Sequence, residues 1–69
     1  MKKLPVVQVN VWSGMSLENK KRVVEGITRV LTEIGIPAEA VTVVIYEEPK
    51  ENWASGGKIH SERFPDHRP

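Results

Sequence analysis

One long amphipathic pattern stands between two β-branched runs, and that order leaves a chain of this size very few folds. From Val6 to Trp12 the residues alternate, with Val7, Val9 and Val11 on one face and Val6, Gln8, Asn10 and Trp12 on the other. Ser13-Gly14 ends this strand. Between Leu17 and Ile34, the residues Val23, Ile27, Val30, Leu31 and Ile34 follow the i, i+4, i+7, i+8, i+11 stripe of a helix. Lys20, Lys21, Arg22, Glu25, Arg29 and Glu33 lie mostly off that stripe. Ser16 is placed to cap the helix with its hydroxyl, and Glu18 suits the positive end of the helix dipole. Gly35 is placed for the residue after the cap, and Pro37 blocks continuation. Val41 to Tyr46 reads as a second strand. Strand, helix and strand in that order predict a right-handed crossover joining parallel strands.

This unit cannot cover itself. Two strands form a marginal sheet, and parallel strands need cover on both faces, whereas one helix covers only one. The uncovered face carries Val6, Trp12 and Val44. With 69 residues the chain makes one small domain, and it has no cysteine with which to form disulfides or thiolate metal sites. A homo-oligomer is therefore expected. The predicted core is Val7, Val9, Val11, Val23, Ile27, Leu31, Ile34, Val43 and Ile45. Gly26 in mid-helix costs up to about 1 kcal/mol against alanine and hints at close packing there.

The formal net charge is +1, from 10 basic and 9 acidic residues, so no global field draws the chain to nucleic acid or to a membrane. There is no run of apolar residues long enough to span a bilayer, and Lys2-Lys3 is not followed by the apolar core of a signal peptide. A cytoplasmic location is expected. Pro49 closes the second strand, and Gly56-Gly57 reads as a hairpin tip. The reading is an α/β chain: an N-terminal extension over 1–4, a β-α-β domain with a short C-terminal hairpin over 5–58, and a polar tail over 59–69.

The order of these pieces is distinctive. A strand led by Pro5 is followed by a Ser-Gly turn, a long helix, a Gly-x-Pro connection, a Val-rich strand, Pro49-Lys-Glu-Asn-Trp53 and Gly56-Gly57. In this the chain resembles the 4-oxalocrotonate tautomerase family. The resemblance implies a β-α-β fold assembled through dimers into a hexamer. It implies a small-molecule enol or keto-acid substrate and no cofactor. It places Pro5 on the proline whose free secondary amine is the family's general base, and Trp53 on the aromatic that keeps the pocket apolar. An apolar wall disfavours the protonated amine and leaves a free base near neutral pH. The family's two substrate-binding arginines fall on Met15 and near Thr42, neither of which can hold a carboxylate bidentately.

Met1-Lys2-Lys3-Leu4 precedes Pro5. A proline nitrogen within a peptide bond is an amide whose lone pair is delocalised, so it is no base. Two functions are expected from this. The first is an isomerase that moves a proton in an enol or unsaturated keto acid, with Pro5 as base once freed and the full-length form weak or inactive. The second is a non-catalytic oligomer of the same fold that binds a small ligand. Lys50 is a candidate replacement cation for the substrate. Each residue also has a plainer role: Pro5 as the start of a strand, Trp53 as packing, and Met15, Arg63 and Arg68 as turn and solvated tail. His60, His67 and Asp66 match no usual metal-ligand spacing.

Overall fold

The computed structural model describes residues 5–69, so the extension over 1–4 lies outside the described residues. Strand β1 (Val6–Trp12) leads into helix α1 (Leu17–Glu33), and strand β2 (Thr42–Glu48) returns parallel to β1. The register pairs Val6 with Thr42 and Trp12 with Glu48. The ladder extends beyond both ends: the Thr42 amide donates to the Pro5 carbonyl at 3.1 Å, and the Ser13 amide donates to the Glu48 carbonyl at 2.9 Å. Each strand is β-branched along most of its length, and pleating sets Val7, Val9, Val11, Val43 and Ile45 on one face.

The helix begins where the sequence indicates. Ser16 is extended, and its hydroxyl accepts from the Asn19 amide at 3.1 Å. Ser16→Ala is expected to lower stability by about 1 kcal/mol, read as a reduced denaturant midpoint; an unchanged midpoint would show that the cap contributes nothing. At the other end the Ile36 amide donates to the Leu31 carbonyl and the Gly35 amide to that of Thr32. This is a Schellman closure, and it requires the left-handed φ of +102° that Gly35 adopts. The chain has turned by Ile34, so Ile36 is half-buried while Ile34 is 70% exposed. Ile34 thus does not belong to the predicted core within one chain.

The other predicted core residues are half-buried, and no described residue is fully buried. Val30 and Leu17 are also exposed. The helical stripe meets the sheet edge at Val7, where an apolar hollow of about 440 Å³ stays open between Val23, Gly26, Ile27 and Leu31. A Cβ on Gly26 would meet nothing within 4 Å, so the close packing expected there does not occur within one chain. The Cα radius of gyration is 15.1 Å, whereas a compact domain of this length has about 11 Å.

Beyond Pro49 and a 3-10 turn over Lys50–Asn52, strands β3 (Ala54–Ser55) and β4 (Lys58–Ile59) form an antiparallel hairpin. Gly56 and Gly57 have φ of +58° and +80°, the pair of left-handed residues that a two-residue hairpin with matched twist requires. A single helical turn, α2 (His60–Arg63), then carries the chain back over the end of β1.

Candidate active site

Strand alternation turns Trp12 toward the sheet face that α1 leaves open, and the C-terminal segment covers it there. The Trp12 indole N–H donates to Nδ1 of His60 at 3.1 Å. An indole can only donate, so Nδ1 must accept, and the neutral ring carries its proton on Nε2. That nitrogen lies 2.7 Å from the Ser55 hydroxyl and donates to it. His60 stacks on Trp53 with centroids 5.9 Å apart and planes at 16°, and meets Trp12 and Phe64 edge to face at 5.6 and 5.2 Å. Such pairs contribute about 0.5–1.5 kcal/mol each beyond burial. The Trp53 indole N–H donates to the Glu48 carbonyl at 3.1 Å, which ties the hairpin to the end of β2.

The tail is fastened to the same end of the sheet. The Lys50 ammonium donates to the carbonyls of Phe64 and His67, and sits 4.7 Å from the centre of the Trp12 ring. The ring of Pro69 lies within 3.8 Å of where a Cβ on Gly14 would stand. Beside these contacts lies an open hollow of about 360 Å³, lined by Asn10, Trp12, Met15, Trp53, His60 and Arg68 among others. Both indole N–H groups are already engaged, so the tryptophans offer this hollow aromatic surface, and its polar groups are the Asn10 amide and the Arg68 guanidinium.

Beneath the adjoining turn, Lys20 and Glu47 form the one ion pair among the described residues. The Lys20 hydrogen bond, assisted by the Gly14 and Met15 amides and the ammonium's charge, holds the Glu47 carboxyl below its usual range against an opposing cost of burial. A depressed folded pKa means that this stabilisation is present above the unfolded pKa and is lost as pH falls through the folded one. Glu47→Gln is therefore expected to lower the thermal midpoint near neutral pH, with the difference from the parent shrinking on acidification below the carboxylate range. Equal differences at pH 7 and pH 2 would refute the pairing.

Within one chain the sequence-derived site residues separate into two groups. Pro5 stands at the start of β1 beside Thr42. Trp53, Lys50 and Met15 stand at its far end, about 20 Å away along the strand. Pro5 and Trp53 can share a pocket only if two copies of the chain meet. Trp12, His60 and Arg68 were not singled out as binding residues from sequence. The alternation did place Trp12 on the uncovered face, but nothing local indicated that His60 and Arg68 fold back onto it. Among the described residues no group of three or more His, Asp or Glu side chains could hold a metal, and no helix is long and apolar enough to cross a membrane.

The β-α-β unit with its short C-terminal hairpin is the tautomerase fold, and comparison with known proteins agrees. Residues 5–63 match the family described as "Tautomerase enzyme". A 2-hydroxymuconate tautomerase of Comamonas testosteroni is 44% identical over 55 residues, covering 78% of this chain and 87% of its own. A probable tautomerase of Bacillus cereus is 36% identical over 61 residues, covering 87% of this chain and all of its own. Among solved structures, TomN, a 4-oxalocrotonate tautomerase homologue of the tomaymycin biosynthetic pathway, superposes with a TM-score of 0.84 at 33% identity, over 90% of this chain and 97% of its own. The chain belongs to the 4-oxalocrotonate tautomerase family.

Proposed function

We propose that this chain is a tautomerase that moves a proton between oxygen and carbon in an enol or unsaturated keto acid, with Pro5 as the base when it is freed from residues 1–4. The observation that carries this reading is that the family match begins at Pro5, the residue leading β1. A free secondary amine there takes the proton from the enol hydroxyl and returns one to carbon, a reaction that needs no cofactor. In the full-length chain the Leu4–Pro5 bond makes that nitrogen an amide, and activity is weak or absent.

The working site forms between copies. The Pro5 end of one chain meets the Trp53 end of another in a homo-oligomer, a hexamer built from dimers. The open apolar faces support this assembly, because Val6, Leu17, Val30 and Ile34 lie 59–70% exposed on one chain. Trp53 supplies the apolar wall, and Lys50 holds the tail beside it. The chain acts in the cytoplasm. Comparing full-length protein with a chain beginning at Pro5, on the enol of phenylpyruvate, tests the proposal.

A second reading also has support. With an amide at Pro5, and with Met15 and Thr42 in place of guanidinium groups, the oligomer binds a small ligand without turning it over. Equal and negligible rates from both forms would favour it.

A further inference from the structure

We infer that Arg68 binds the carboxylate of the ligand in the Trp12–Trp53 cavity, which takes a planar monocarboxylate with an aromatic or conjugated body. This deepens the tautomerase reading and rests on it for the identity of the site.

The lining has one permanently charged side chain, Arg68. No carboxylate of the described residues pairs with it, since the ion pair present joins Lys20 to Glu47. Trp12 and Trp53 supply flat apolar surface, Met15 a thioether and Asn10 a neutral amide. The polar edges of the aromatic rings are spent internally: one indole N–H is given to His60, the other to Glu48, and the His60 proton to Ser55. A ligand that fits therefore brings a flat body for the aromatic walls and one anionic group for the guanidinium. A carboxylate matches the planar fork of arginine.

The backbone that carries Arg68 is held in place by the fold. Lys50 fastens the carbonyls of Phe64 and His67 over the Trp12 ring, and Pro69 rests on Gly14, so Arg68 is anchored on both sides. Gly14 has a φ of +115°, a left-handed backbone conformation that favours glycine at the turn on which Pro69 rests. The same cavity holds Met15, where the family's arginine would fall. The positive charge thus enters from the tail instead of from the turn after β1.

The test uses binding and requires no turnover. The protein has two tryptophans, and both line this cavity, so intrinsic fluorescence reports on it directly. Full-length protein is titrated with phenylacetate and with its neutral counterpart phenylacetamide. Phenylacetate is expected to bind about tenfold more tightly or better. Arg68→Ala should remove that preference and leave the amide's affinity unchanged, and Arg68→Lys should restore part of it. The inference is overturned if neither ligand perturbs the tryptophans, or if Arg68→Ala keeps the anion preference. It is also overturned if Arg68→Ala weakens both ligands equally, because Arg68 would then shape the cavity without reading charge. A Pro5-led chain that is inactive yet shows Arg68-dependent binding would refute the catalytic proposal alone. An active one with no such dependence would refute this inference alone.

Discussion

A chain that begins at Pro5 is expected to ketonise the enol of phenylpyruvate about 10²–10⁴-fold faster than the full-length chain, the usual range for a positioned general base. The cause is a single bond. Acylation by Leu4 delocalises the Pro5 lone pair, while a free prolyl amine keeps it available. Apolar surface from the Trp53 end of a neighbouring copy would lower the amine's pKa toward neutrality. Truncation also removes four residues from around the site, so the gain must be separated from simple unblocking. A Pro5→Ala version of the short chain keeps the same opening but replaces the secondary amine with a primary one. It should fall well below the Pro5-led chain. Equal rates from full-length and short chains, or from the proline and alanine forms, would show that Pro5 is not the base.

The second large effect concerns the helix face. Ile27→Ala is expected to cost about 2–5 kcal/mol, the range for truncating a well-covered aliphatic side chain. Within one chain Ile27 is only half-buried and borders an open hollow. The full cost therefore arises only if another copy covers it. Two measurements belong together. The thermal midpoint of the parent should rise with protein concentration, as mass action requires of a fold stabilised by association. Ile27→Ala should lower that midpoint and weaken its concentration dependence. A concentration-independent midpoint with a loss under about 0.5 kcal/mol, the size of a surface change, would show that this face remains in water and that the chain folds alone.

The local elements were legible because local chemistry forms them. Period-two alternation of valines marks β1, the Ser16 hydroxyl starts α1, and Gly35 with Pro37 ends it. Gly56-Gly57 is a hairpin because both residues take left-handed φ without strain. The two-faced sheet with a single helix implies more than one copy. Ile34 departs from the predicted core because it is the C-cap, where helical periodicity no longer sets direction. The propensity cost of Gly26 predicts close packing, but within one chain open space lies beside it.

By itself, then, the sequence determined the β-α-β order, the register-setting alternation and the family. These follow from interactions among residues a few positions apart, and from the order of short motifs. Only the tertiary structure decided that Trp12 and His60 share a proton-ordered hydrogen bond across 48 positions, and that Lys50 ties down the tail. It also decided that Arg68 lines the aromatic cavity, and that Pro5 and Trp53 stand at opposite ends of a strand. Such placements depend on where a polar tail returns after a hairpin. That path is set by aromatic packing and carbonyl hydrogen bonds between distant segments, for which no local pattern exists.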